Sequence, residues 1–230
     1  MRRAGPVLLA MLAAAPPVAS QTPGIMFGPS GMNDTIVPLR SMEELKYAGV
    51  VRQRFDFSCG SAALATLLRL YGVPGGEAEA FRGMWAGGDQ AQIRRLGFSL
   101  LDMKRYLDSL GRPANGYKVS LDQITKAGIP GIALVTVRGY RHFVVVLGAR
   151  DGEVLVGDPS LGLRVEPAER FKEGWNGVFF AIDRDPQIGR RAFNARARWA
   201  AYPRAPLGSR FADPLSTATL ALTAPFYGDF

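Results

Sequence analysis

The sequence predicts an α+β fold, with N-terminal helices packed on an antiparallel sheet. Three observations lead there. Apolar residues recur at helical spacing early in the chain. Short β-branched and aromatic runs follow later, and helices first with strands afterwards is the order of an antiparallel α+β domain.

The elements follow in order. Arg2 and Arg3, the apolar run at residues 6–15 and the small residues at 18–20 read as an export signal over residues 1–20. That run is shorter than the roughly 18 apolar residues of a membrane span, and no later segment reaches that length. No cysteine stands at the expected cleavage point, so a lipid-anchored form is not expected. Residues 21–41, rich in Gly, Pro and Ser, read as a flexible lead-in. Then comes "SCGSAALATLLRLYG" at residues 58–72. Ser58 supplies an N-cap, Leu64, Leu67, Leu68 and Tyr71 follow the i, i+3, i+4, i+7 stripe, and Gly72 and Pro74 supply the stop. A Gly-rich loop is expected over residues 83–88.

Ser99 and Asp102 form the next helix-start signature, with Leu100, Met103, Leu107 and Leu110 on one face and Gly111 at the end. Ser120 and Gln123 repeat the device before Gly128. The period then changes: "GIALVTV", "FVVVLGA", "EVLVGD" and "VFFAI" read as strands, with a hairpin turn at Asp151-Gly152. The globular part is placed at residues 42–183, followed by a basic Arg/Pro-rich extension at 184–230 that ends in the apolar "LALTAPFYGDF".

Composition narrows the function classes. One cysteine and one histidine in 230 residues exclude an internal disulfide and a structural zinc site, and no metal or cofactor is expected. The net charge of +8 is concentrated late: residues 184–210 hold seven arginines and one acid, Asp185, whereas residues 4–183 hold 19 basic and 17 acidic residues. No nucleic-acid motif or aromatic stacking set accompanies the basic segment. It reads as a solvated tail, or as an arm that docks on an envelope partner or anionic lipid.

Four residues are candidates for chemistry. Cys59 falls in the first turn of its helix, where free N–H groups and the helix dipole favour a thiolate; taken alone it reads equally as a small buried hydrophobe. His142, the sole histidine, starts one strand of the Asp151-Gly152 hairpin, and Asp158 ends the other, within a residue or two of being opposite. A carboxylate there can hold an imidazole N–H, as the orienting group of a nucleophile–base–orienter set does. Alone, a single His reads as structural and an Asp before Pro159 as a turn former. Asp56 and Asp151 compete as carboxylates without that hairpin geometry. Gln53, six residues before Cys59, could place its amide at a developing oxyanion together with the Cys59 N–H, although most glutamines are solvated.

Together the patterns "Q-x5-C-G-x-A-x-L" (residues 53–64), "H-F-V-V-V" and "D-P-S-x-G" (residues 158–162) resemble the C39 peptidases, papain-like cysteine peptidases first known for processing bacteriocin leaders. The resemblance covers about residues 42–183. It implies a papain-like fold, Cys59 as nucleophile, His142 as general base and acid, Asp158 as orienter and Gln53 as oxyanion donor. It also implies a peptide or protein substrate, Gly-rich and cut after a small pair such as Gly-Gly. Many family members are fused to ABC exporters. This sequence instead has an export signal, no membrane domain and no nucleotide-binding motif, and Ser58 stands where many members have Asp. It is most similar to free-standing exported members, some of which accompany functional-amyloid secretion. A periplasmic or secreted bacterial peptidase is therefore expected, with the basic tail meeting an envelope secretion partner. The rival is a peptidase-like module that grips Gly-rich peptides without cutting them, as a chaperone or adaptor.

Overall fold

The computed structural model describes residues 24–27, 35–38, 41–55, 57–137 and 139–201. The expected export signal, Asp56 and the apolar stretch at 220–230 lie outside them. Contacts divide the chain into Met1–Ser41 and Met42–Phe230. In the first unit, β1 (Gly24–Phe27) pairs antiparallel with β2 (Thr35–Pro38), so part of the expected lead-in is a hairpin. Its Ile25, Ile36 and Val37 are β-branched, but four-residue strands amid Gly and Pro show no readable period.

The second unit opens with α1 (Met42–Lys46) and the long α2 (Cys59–Leu70). Helices α3 (Glu77–Gly87), α4 (Gln90–Leu96) and α5 (Leu100–Ser109) follow. After β3 (Ala114–Lys118) and α6 (Leu121–Ala127) come β4 (Gly131–Val137), β5 (Tyr140–Arg150), β6 (Glu153–Asp158) and β7 (Gly162–Pro167). The described chain ends through α7 (Ala168–Gly174), β8 (Trp175–Ile182), α8 (Pro186–Ala192) and α9 (Arg196–Ala201). The strands β3 to β8 form one six-stranded sheet in the order β3-β8-β4-β5-β6-β7, antiparallel at every pairing. The expected α+β arrangement is the one observed.

Local chemistry explains most boundaries. Ser99 and Asp102 make a reciprocal capping box on α5, and Ser120 and Gln123 make another on α6, which ends at Gly128 in the left-handed region. The β5–β6 turn has positive φ at both Asp151 (52°) and Gly152 (74°), as a type I′ hairpin requires. The Gly83–Gly88 stretch is not the expected loop, because α3 runs through to Gly87. Buried Ala80 and Met84 are four apart on its inner face. Gly83 serves packing instead, since a Cβ there would stand 2.1 Å from the Tyr106 ring of α5.

The helix α2 is buried along nearly its whole length and packs on the central sheet with Leu64, Leu67, Val145, Leu147 and Leu155 in one core. Strands β5 and β6 pair in register from Arg150↔Glu153 to Gly148↔Leu155, and then from Val146↔Val156 to Val145↔Gly157. Leu147 is the extra residue between the two stretches, a β-bulge on β5.

The chain does not leave the domain at Asp183. Phe193 and Trp199 are buried in its cores, Asn194 N–H donates to the Leu147 carbonyl at 2.9 Å, and the Asn194 amide donates to the Ala149 carbonyl at 3.0 Å. Residues 184–201, the described part of the expected basic extension, thus cover the sheet. Their arginines mask two aromatic anchors, and that is why the segment reads as solvated. The Arg150 guanidinium sits 4.1 Å from the Trp199 ring centroid. Trp199→Ala is expected to destabilise the protein by about 3 kcal/mol, read as a lower midpoint in urea unfolding. A change within about 0.5 kcal/mol would mean the segment is not part of the cooperative unit.

Candidate active site

Cys59 is the first residue of α2, buried but facing a cleft of about 780 Å3. The segment leading to it is fixed along its length. Val51 N–H donates to Thr66 Oγ1 at 2.9 Å, and Gln53 N–H donates to the Pro159 carbonyl at 3.0 Å. Ser58 occupies the N-cap position, yet its hydroxyl makes no cap bond. It bonds instead to the Phe55 carbonyl and to the buried carboxylate of Glu77, which also accepts the Arg54 N–H at 3.0 Å. The turn before the cysteine is therefore clamped by Glu77 from the start of α3. Gly60 leaves room for the core: a Cβ there would come 3.0 Å from Met103 and 3.1 Å from Phe98.

His142 sits near the start of β5, opposite Val135 of β4, and is buried. Beyond the bulge, the Val145↔Gly157 register sets Asp158 opposite Val144, so His142, two residues further, shares its face. His142 Nε2 and Asp158 Oδ1 are 2.9 Å apart. An ionised carboxylate only accepts, so Nε2–H donates. That leaves Nδ1 for Cys59, whose side chain acts on the ring together with Asp158. Cysteine, imidazole and carboxylate are thus brought together in series.

Asp158 is held by more than the histidine. Its Oδ1 also accepts the Ser160 N–H (2.9 Å), the Ser160 hydroxyl (2.7 Å) and the Leu161 N–H (3.0 Å). Its Oδ2 lies 3.3 Å from Arg164 of β7. The turn-forming and the imidazole-holding readings of this residue are therefore both true. Gly162, which closes the turn, has φ of 83°, and a Cβ there would stand 2.3 Å from the Lys46 carbonyl oxygen. Burial pushes the Asp158 carboxyl up, but the bonds from His142 and Ser160 and the His142 charge overcome it and hold the group well below the usual carboxylate range. Burial likewise pushes His142 down, yet the hydrogen bonds to Asp158 and Cys59 and their charges raise it to about 9. The ring is an imidazolium at neutral pH.

Gln53 is placed less directly. Its backbone is tied to the Asp158–Ser160 turn, and its amide nitrogen donates to the Phe55 carbonyl at 3.2 Å. Sequence reasoning missed Glu77, Arg164 and the part played by Ser160. The Asp-Pro-Ser string did carry a signal for Ser160, since Asp side chains commonly accept the N–H two residues on. Nothing local marks Glu77 or Arg164, which arrive from other elements. Among the described residues no three His, Cys, Asp or Glu side chains group closely enough to hold a metal ion.

A family model described as the Peptidase C39 family matches residues 48–187, well over half of the chain. The chain belongs to the peptidase C39 family. Two similar relatives of this C39 chain are both called "Probable functional amyloid protease FapD". The one from Pseudomonas aeruginosa is 45% identical over 145 residues, covering 63% of this chain and 64% of its own length. The one from Pseudomonas fluorescens is 46% identical over 145 residues, with the same shares of 63% and 64%. The match thus spans less than two thirds of either relative. Among solved structures, the C39 peptidase domain of Streptococcus ComA, a bifunctional ABC transporter involved in quorum sensing, has a TM-score of 0.49 and 24% identity. It covers 57% of this chain and 94% of its own. Among the described residues of this C39 chain, no helix is long and apolar enough to cross a membrane.

Proposed function

We propose that this chain is an exported cysteine endopeptidase in which Cys59 is the nucleophile, His142 the general base and acid, Asp158 the orienting group and Gln53 an oxyanion donor. The observation that carries it is the buried His142–Asp158 hydrogen bond beside Cys59, which acts on the same ring and lines a cleft. The thiolate of Cys59 attacks the scissile carbonyl carbon, and the carbonyl oxygen becomes an oxyanion. The Cys59 N–H, free at the helix start, and the second N–H of the Gln53 amide are the donors for that charge. The imidazolium of His142 then protonates the departing amine, leaving a thioester. Neutral His142 next takes a proton from water, whose oxygen attacks the thioester carbon and releases the acid and the thiolate, restoring the starting pair. Asp158 keeps Nδ1 aimed at sulfur and stabilises the ring whenever it is charged.

A polypeptide rich in glycine, cut after a small residue pair, is the substrate class that goes with the family resemblance. The name of the two Pseudomonas relatives supports a place in functional-amyloid assembly. The signal-like residues 1–20 support a periplasmic or secreted location, with a secretion partner met through the basic C-terminal residues.

Alkylation tests the core of this reading. Iodoacetamide near pH 7 is expected to label Cys59 at least tenfold faster in the native protein than in a urea-unfolded control, and peptide hydrolysis should fall in step with labelling. Labelling no faster than the control, or hydrolysis that survives full labelling, would refute it.

A further inference from the structure

The walls of the cleft above Cys59 are apolar and aromatic, from Phe57, Phe98, Leu134 and Phe143. Three cations share it: Arg94 and Arg95 from the last turn of α4, and Arg141 next to His142 on β5. All three are exposed. Among the described residues no carboxylate forms an ion pair with any of them. Arg94 lies over the Trp85 ring, 5.0 Å from its centroid. The acid in the cleft lining, Asp102, is turned into its own helix cap, accepting the Ser99 N–H at 2.8 Å and the Ser99 hydroxyl at 2.7 Å. Several arginines elsewhere are matched, such as Arg82 with Glu79 and Arg112 with Asp185. Arg94, Arg95 and Arg141 are brought together by the fold around one cleft, the one that Cys59 lines.

We propose that Arg94, Arg95 and Arg141 make this cleft selective for polypeptides that carry Asp or Glu close to the cleaved bond. The inference rests on the peptidase reading and adds a substrate class to it. Guanidinium forks bind carboxylates through paired, charge-assisted hydrogen bonds. Low-dielectric walls focus the field of like charges into the cleft, and an acidic ligand relieves their mutual repulsion. The effect belongs to substrate recognition: the arginines position the chain and take no part in bond breaking.

The test is digestion of a proteome-derived peptide library by the full chain, with cut sites read by mass spectrometry. Asp and Glu are expected to be enriched at least threefold within about six residues of the cut, roughly 20 Å of extended chain. In R94A/R95A/R141A that enrichment should fall to background. For one acidic peptide, kcat/KM of the wild type should drop about tenfold between 50 and 500 mM salt, as screening predicts. Cut sites without acidic enrichment in the wild type overturn the inference and leave the peptidase standing. Enrichment that persists in the variant removes the arginines as its source. If the wild type cuts no peptide, the peptidase reading itself fails and takes the inference with it.

Discussion

Cys59→Ala is expected to abolish peptide hydrolysis, with a loss of about 10^4-fold or more in kcat, while the protein stays folded. The size follows from the role: removing the nucleophile from a unit of nucleophile and base leaves only the catalysis that binding and oxyanion donors give. The fold should tolerate the change. The side chain is small and lies at the end of α2 rather than in its middle, so a cost on the order of 1 kcal/mol is expected. Hydrolysis of a fluorogenic peptide and a thermal melt measure the two parts. Activity within tenfold of wild type would remove Cys59 from the chemistry. Loss of hydrolysis together with an unchanged biological readout would favour a binding module instead.

Asp158→Asn is expected to lower kcat/KM by about 10^3- to 10^4-fold and to cost about 3 kcal/mol in stability. The site explains why an isosteric amide fails. One oxygen of Asp158 faces donors from His142, Ser160 and Leu161, and the other faces Arg164. Whichever way the amide is turned, its NH2 group meets a donor. The charge matters separately through pH. His142 is raised above its unfolded value of about 6.5, so its contribution is fully present below that pH and lost as pH rises through about 9. Asp158 is depressed, so its contribution is present above about pH 4 and lost as pH falls through its lowered value. The stability gap between wild type and variant should therefore be widest between about pH 4 and 6.5 and narrow on both sides. Urea unfolding across that range measures it. The alkaline limb of kcat/KM should also move to lower pH in the variant, because the ring loses its counter-charge. A gap independent of pH would reduce Asp158 to a packing element.

What was legible in the sequence was whatever carries its signal locally. Ser99–Asp102 and Ser120–Gln123 declare their helices within four residues, and the inner strands β4, β5, β6 and β8 show as apolar runs because they are largely buried. Within the six-stranded sheet, the two strands that did not show, β3 and β7, are its edges. In β3, Asn115 to Lys118 are exposed after a single buried Ala114, so no alternation exists to be read. The same division holds in the site. Cys59, His142 and Asp158 were readable as scarce or motif-borne residues. Glu77 and Arg164 hold them from α3 and β7, and their roles exist only once those elements are packed. Trp199 was hidden for another reason, since its arginine neighbours outweigh it in any average over the segment.

The bulge at Leu147 has a consequence for how this hairpin can change in length. Were Leu147 paired in the ladder rather than bulged, the register that begins at Arg150↔Glu153 would continue to set Asp158 opposite Val145. His142, three positions from Val145, would then point from the opposite side of the sheet. The contact between base and carboxylate is thus a matter of parity. With the bulge kept, a single insertion or deletion between His142 and Val146, or between Val156 and Asp158, would part the two groups, whereas removal of Leu147 itself, or any lengthening of the turn at Asp151-Gly152, would leave their sides matched. Leu147 itself is fully buried in the core, which anchors the odd residue in place.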